Sequence, residues 1–442
     1  MLKRKVRVMH LTVLLAGALV ARLSGAAPLD VAAVQPEVRS AIEERYRHFD
    51  ALYRDLHAHP ELGFEEVRTA TRLASEMRAL GFTVTEHVGK TGVVAMLANG
   101  PGPTIMIRTE LDALPMEEKT GLPYASKDTV LWRGEKTPVA HSCGHDIHMV
   151  SWVATAAALA ALRDRWHGTL MFVAQPAEET DSGATAMLAD GLFERFGKPD
   201  HALALHTGPF GYGMVGYRSG AIMSAEDTLE ITFNGRGGHG SSPHSAIDPV
   251  LIAARFVVDV QSLVSREKDP GAFGVVTIGA IHGGTAGNII PDSVTLRGTI
   301  RSYDSATGRK LNDGVRRVAL AEAAVAAAPD PVVTLTHDTD ALVNDAAAAD
   351  RIAAVFKAAF GRNAFEMAPV PASEDFSKYG EAGVPLTYFF IGVYEPQQFF
   401  EAIQAGRSLP ANHSPLFAPV PEPTIVTGAT AMTLAALDLV SQ

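Results

Sequence analysis

The sequence predicts an α/β protein interrupted by a smaller α+β unit, and three observations carry that reading. Between residues 82 and 205 short apolar runs alternate with segments of helical period, the pattern of a mostly parallel sheet covered by helices. From about residue 222 the order becomes β-α-β-β-α-β, that of a ferredoxin-like sandwich. After residue 338 the first pattern resumes. The chain therefore divides into 1–27, 28–221, an insertion at 222–338, and 339–442. An inserted unit leaves a cleft beside its host, where ligand sites tend to lie.

The elements follow in order. Val38, Ile42, Tyr46, Phe49, Leu52, Tyr53 and Leu56 recur near helical spacing and predict a helix over 36–56. A second helix over 65–80 stops at Gly81. Apolar runs at 82–85, 93–97 and 104–107 read as strands. An Ala-rich helix over 148–162 follows, then a strand at 169–173, a helix at 183–188 and a strand at 202–205. In the insertion, strands are expected at 228–233, 275–281, 293–302 and 332–336, with helices at 249–265 and 306–327. The host resumes with a helix at 346–360, a strand at 386–391 and a last helix at 423–440.

Composition narrows the function. The chain has 442 residues, 47% hydrophobic and 20% charged, enough for two or three packed domains. With 39 Gly and 26 Pro, collagenous and disordered readings fall away. A net charge of −11 argues against broad phosphate neutralisation, hence against a nucleic-acid partner. Residues 1–27 read as a signal peptide: Lys3, Arg4, Lys5 and Arg7, an apolar stretch at 11–20, then the small residues Ser24-Gly25-Ala26-Ala27. Its removal leaves 33 basic and 49 acidic residues, a charge of −16, and no stable membrane span. Export to the periplasm or the medium is expected. The single cysteine, Cys143, allows no internal disulfide. A free thiol in an exported protein oxidises unless it is buried or held by a ligand.

In an open parallel sheet ligands bind beyond the carboxyl ends of the strands. The strand at 104–107 leads into Arg108, Glu110 and Asp112. That at 169–173 leads into Gln175, Glu178 and Glu179, and that at 202–205 into His206. Cys143, His145, Asp146 and His148 precede the long helix. If Cys143 and His145 lie in an extended segment, both face the same way. Thiolate, imidazole and carboxylate donors together suit a transition metal rather than calcium or magnesium. Glu178 and Glu179 diverge as neighbours, so one can hold metal while the other takes a proton from water. The Gly-rich segment 235–244 lacks the Lys-Ser/Thr end of a phosphate loop and presents His239. Asn288, in a second Gly-rich segment, either meets a substrate or caps a turn. His413 lies in a loop before the last helix.

These segments resemble metallopeptidase family 20, in particular its amidohydrolase subfamily of N-acyl-amino-acid amidohydrolases, hippurate hydrolases and auxin-conjugate hydrolases. The resemblance is collinear from about residue 40 to the end. It includes His57-Ala58-His59-Pro60-Glu61-Leu62-Gly63, Asp112-Ala113-Leu114-Pro115, Cys143-Gly144-His145-Asp146, Gln175-Pro176-Ala177-Glu178-Glu179, Gly238-His239-Gly240, Asn288-Ile289-Ile290-Pro291-Asp292, Ser373-Glu374-Asp375-Phe376 and His413-Ser414-Pro415. It implies a catalytic domain with a dinuclear metal site at the strand ends and a lid that pairs two copies into a homodimer. Cys143 would bridge two divalent ions. Glu179 and His413 would complete one site, His145 and His206 the other. Glu178 would be the general base, and Asp112 would orient a histidine ligand. His239 would stabilise the oxyanion, from its own lid or the partner subunit's, and Asn288 would hold substrate. Zinc or manganese fit such donors, with cobalt or nickel able to substitute.

Two positions depart from the family pattern: Glu110 replaces an aspartate, and Ile147 replaces a glycine beside the proposed ligands. With Asp112 kept, tuning rather than loss of the site is expected. The expected reaction is hydrolysis of an N-acyl or N-aroyl amino acid to a carboxylic acid and an amino acid. An exported dipeptidase or carboxypeptidase is the competing reading. A silent binding protein is disfavoured because Glu178 and all five proposed ligands are present.

Overall fold

The structure, a computed structural model, describes residues 29–440. The segment read as a signal peptide lies outside the described residues. The larger sheet runs, in spatial order, Thr83–Val88, Gly92–Asn99, Gly168–Gln175, Thr104–Glu110, His201–Gly211, Leu386–Tyr394, Val215–Tyr217 and Ala364–Glu366. Its centre is parallel. Thr104–Glu110 runs with both of its neighbours, and Leu386–Tyr394 runs with His201–Gly211. Antiparallel pairs flank this centre. Side-chain alternation splits each strand between two cores. Ile105 and Ile107 face the core shared with Trp152, Phe172 and Ile425, whereas Met106 faces Met171, Tyr379 and Tyr388. Burial on both faces explains why these strands read as unbroken apolar runs.

The helices Val31–Glu43, Val67–Ala79, His145–Ala161, Ala346–Phe360 and Pro421–Val440 contribute to the first core. The last is long and apolar enough to cross a membrane, yet it is mostly buried and packs against His145–Ala161.

The inserted sheet holds Ala225–Asn234, Gly274–His282, Ser293–Ser302 and Val332–Thr339, all antiparallel, in the spatial order second, third, first, fourth. Pro249–Asp259 and Ser305–Val325 bury Phe256, Leu311 and Val315 against Leu229, Ile231 and Leu296. This is a ferredoxin-like sandwich. The chain crosses into and out of it through paired strands, Gly220–Met223 and Leu342–Asn344.

Local differences from the sequence reading have simple causes. Residues 36–56 form parts of two helices, Val31–Glu43 and Tyr46–Ala58. Apolar spacing is helical on both sides of the break, so periodicity does not register it. The helix expected over 249–265 ends at Asp259, and a wider turn covers Leu263–Glu267. The hairpin Thr129–Trp132/Glu135–Pro138 and the short helices Leu192–Phe196 and Ser377–Glu381 are too brief for periodicity to reveal.

Candidate metal centre

Three strand ends and one helix start meet at the carboxyl edge of the parallel strands, facing the insertion across a cleft of about 680 Å³. Cys143, Glu178, Glu179, His206 and His413 line it. Cys143 precedes the helix His145–Ala161, and Gly144 caps that helix in the left-handed region at φ 88°. The extended Cys143–His145 segment expected from spacing is therefore corrected to a turn. A Cβ at Gly144 would lie 2.6 Å from Thr207 Oγ1, so glycine is required for space as well as for φ. Cys143 and His145 still reach one cluster.

Backbone bonds orient the imidazoles. His206 Nδ1 donates to the Thr207 carbonyl at 2.7 Å, which turns Nε2 toward Cys143 Sγ at 3.4 Å. His145 Nδ1 donates to the Asp112 carbonyl at 2.8 Å. The Asp112 carboxylate stands farther off, at 3.5 Å, and accepts instead from Glu179 N–H at 2.9 Å. His145 Nε2 then points at Glu178 Oε2 (3.6 Å) and Glu179 Oε1 (3.8 Å). His413, more than half exposed, places Nε2 3.3 Å from Glu179 Oε2.

The turn Glu178–Thr180 is flanked by Ala177 and Asp181, both at φ 49°. Non-glycine residues in that region are strained and persist where surroundings fix them. Here Glu66 accepts from Ala177 N–H at 2.8 Å and from Thr91 Oγ1 at 2.5 Å.

A cation fits these residues. The donor atoms of Cys143, His145 and His206 lie within 4.8 Å of one another, as do those of Cys143, Glu179 and His413. Cys143 is common to both triads. Two donors of one tetrahedral ion, each ~2.0–2.3 Å from it, lie roughly 3.5 Å apart, as Cys143 Sγ and His206 Nε2 do. His145 Nε2 and Glu179 Oε1 are buried without a hydrogen-bond partner. Buried polar atoms are rarely left so, and both are competent ligands. The electrostatics agree. Burial, then Glu179 and Glu178, push the Cys143 thiol far up, so it needs a cation to ionise. Burial and the repulsion of Glu374 and Glu179 likewise push Glu178 up, so it too needs a nearby cation to stand ionised. Burial holds His206 neutral. Burial also acts to lower His145, but Asp112, Glu110 and Glu179 outweigh it and hold it at about 10, so without a cation the ring keeps a second proton at Nε2 that a bound cation would displace.

Behind the cleft lies a buried charge network. Arg108 bonds Glu110, Gln175 Oε1 (3.0 Å), Glu374 Oε1 (2.8 Å) and Asp375 Oδ1 (2.9 Å). Glu110 also accepts from His148 Nδ1 at 2.9 Å, and His148 Nε2 accepts the Thr207 N–H at 2.9 Å. A chain of contacts thus runs from Arg108 to the residue beside His206. Sequence reasoning named these residues without assigning them a role. The signal was present: Arg108 and Glu110 share a face at the end of an apolar strand, and charges buried there must be paired.

His239 and Asn288 stand apart from this cluster. Gly238–His239 pairs with Ile289–Ile290, and Gly240 N–H bonds the Asn288 carbonyl at 2.8 Å. Both side chains belong to exposed residues of the insertion, and neither residue lines the cleft. His239 Nδ1 lies 2.8 Å from Ser241 Oγ.

Comparison with known proteins gives a concordant result. The family model described as peptidase family M20/M25/M40 matches residues 106–403. A hippurate hydrolase of Campylobacter jejuni is 39% identical over 339 residues, covering 75% of this chain and 85% of that protein. A thermostable carboxypeptidase 1 of Saccharolobus solfataricus is 33% identical over 389 residues, 87% of this chain and 93% of that one. Among solved structures, the Bacillus subtilis YxeP protein, described as a dinuclear metal-binding peptidase of the M20 family, superposes with a TM-score of 0.73. It is 27% identical and covers 89% of this chain and 98% of its own.

Proposed function

The chain belongs to peptidase family M20/M25/M40 and is a hydrolase of it; from that premise we propose that it cleaves the amide of N-acyl or N-aroyl amino acids. The single observation that carries the reading is Cys143 shared between two donor triads, with Glu178 beside them. Cys143, Glu179 and His413 would hold one divalent ion, and Cys143, His145 and His206 a second. Zinc or manganese suit these donors. Bound there, such ions supply Lewis acidity, which lowers the pKa of water and polarises a carbonyl.

The protein's own groups do the rest. Glu178 takes a proton from the attacking water at a carboxylate oxygen as the water oxygen bonds the carbonyl carbon. It passes that proton to the amide nitrogen as the C–N bond breaks, so a carboxylic acid and an amine leave. The Asp112 carbonyl keeps His145 in one tautomer, and the Thr207 carbonyl does so for His206. His239 and Asn288 reach the cleft through lid movement or from the lid of a second copy. A homodimer and export to the periplasm or the medium complete the proposal.

The carboxypeptidase of S. solfataricus keeps a peptidase reading in view. Hydrolysis of N-benzoylglycine and N-acetylmethionine, before and after chelation, decides. Activity that disappears with chelator and returns with zinc or manganese is expected. Cleavage of dipeptides alone would overturn the amidohydrolase reading.

A further inference from the structure

Resting on the two-ion reading above, we propose that Thr207 and Asn412 are positioning residues that couple the two ion sites. Through them an ion held by Cys143, His145 and His206 aligns His413 for the other ion. Neither side chain is itself a ligand. Each acts through hydrogen bonds to segments that carry the ligands.

Thr207 is fully buried in the strand His201–Gly211, directly after His206. A valine would suit a buried strand position equally well, and a buried hydroxyl is costly unless it is bonded. This hydroxyl is bonded as donor and as acceptor. It donates to the Cys143 carbonyl at 3.0 Å and accepts from Asn412 Nδ2 at 3.2 Å. Its seat is kept open by Gly144, where a Cβ would lie 2.6 Å from Oγ1. The backbone of Thr207 is engaged as well. Its carbonyl takes His206 Nδ1–H at 2.7 Å, and its N–H is held by His148 Nε2 at 2.9 Å. One residue thus meets the turn carrying the shared cysteine and fixes the ring of a ligand to one ion.

Asn412 carries the contact to the other ion. Its Nδ2 also donates to the Cys143 carbonyl, at 2.7 Å, and the next residue is His413. His413 is exposed and lies at φ 67°, with its N–H on the Ser142 carbonyl at 2.8 Å. Cys143, His145 and His206 are by contrast all buried. Packing already orders that triad, whereas an exposed loop loses conformational freedom when its histidine takes an ion. The buried triad therefore fills first. The Thr207 hydroxyl and Asn412 transmit its fixed geometry to the loop and reduce what remains to be ordered at His413.

The test titrates the metal-free full chain with zinc by calorimetry, against a competing chelator. Wild type, His413→Ala, Thr207→Val, Thr207→Ser and Asn412→Ala are compared. Wild type should take up two ions, and His413→Ala identifies the uptake that belongs to the exposed site. Thr207→Val and Asn412→Ala should each weaken that uptake ~10–100-fold, the usual effect of losing a residue that orients a ligand, and leave the other within about threefold. Thr207→Ser keeps the hydroxyl and should restore wild-type uptake. The double variant Thr207→Val/Asn412→Ala should bind no worse than Asn412→Ala alone, because both cut one link. Wild-type affinity in the Val and Ala variants, equal weakening of both uptakes, or failure of serine to rescue overturns the inference and leaves the two-ion reading intact. Wild type that takes up fewer than two ions overturns both. If Thr207→Val does not melt cooperatively, Asn412→Ala decides by the same comparison. Zinc uptake, not turnover, is read, so failure of the amidohydrolase reading shows separately as absent hydrolysis of N-benzoylglycine.

Discussion

Substituting His57 by glutamine should destabilise the protein at neutral pH and flatten its loss of stability in alkali. His57 is buried, with Nδ1 2.6 Å from Asp146 Oδ2 and Nε2 3.1 Å from Glu118 Oε1. Burial acts to lower its pKa, but the two carboxylates outweigh burial and hold the imidazole up at about 10. Both partners are held below the usual carboxylate range against their own burial, chiefly by His57. A rise from about 6.5 to about 10 bounds the stabilisation at ~5 kcal/mol, taking ~1.4 kcal/mol per unit. Removing one partner of a buried ion pair costs ~3–5 kcal/mol, the same range. Because the folded-state pKa is raised, the contribution is complete below about pH 6.5. It falls by ~1.4 kcal/mol per pH unit as pH rises toward 10. Urea unfolding of both metal-loaded proteins at pH 6, 7.5 and 9 reads the difference between them. That difference should be several kcal/mol at pH 6 and shrink steadily by pH 9. A constant difference across the series would refute the protonated-imidazole argument.

Three further outcomes are expected. Glu178→Gln should keep its metal content by elemental analysis and lose ~10²–10⁴-fold in kcat, the contribution of a general base; retained turnover would remove Glu178 from the mechanism. Cys143→Ala should lower metal stoichiometry, because Cys143 belongs to both donor triads; normal metal content would refute the shared-ligand assignment. Glu110→Asp shortens the link between Arg108 and His148 by one methylene and should cost ~1.5–3 kcal/mol, the value of a hydrogen bond to a charged group. Chemical denaturation measures this, and unchanged stability would mean the aspartate reaches both partners.

Much of the fold was legible because burial imposes simple periods on the chain. The strands at 104–107 and 169–173 are parallel and covered on both faces, so their apolar runs are unbroken. The helix at 346–360 was legible to the residue because Asp345 caps it by accepting from Ala348 N–H at 2.9 Å and Gly361 ends it. Short segments such as Ala364–Glu366 carry too few residues to show any period. Within the site, the chemical types and the convergence on one sheet edge were legible from the residues just beyond each strand. The turn at Gly144 was not, since its cause is the Thr207 hydroxyl 63 residues away in the sequence.

By itself, then, the sequence determined the element types and the ferredoxin-like insertion, and it offered Cys143, His145, Glu179, His206 and His413 as candidate ligands with Glu178 as the candidate base. Hydrophobic period and residue chemistry are local properties, and each can be read within a few positions. Tertiary structure alone decided which atom of each donor faces the cluster. His145 turns Nε2 to the cluster because the Asp112 carbonyl takes Nδ1–H, and His206 does so because the Thr207 carbonyl takes its Nδ1–H. It alone brought Arg108 to Glu374, 266 residues on, and kept His239 and Asn288 on the exposed face of the insertion. Such facts depend on how distant segments pack, and no local pattern encodes the distance between them.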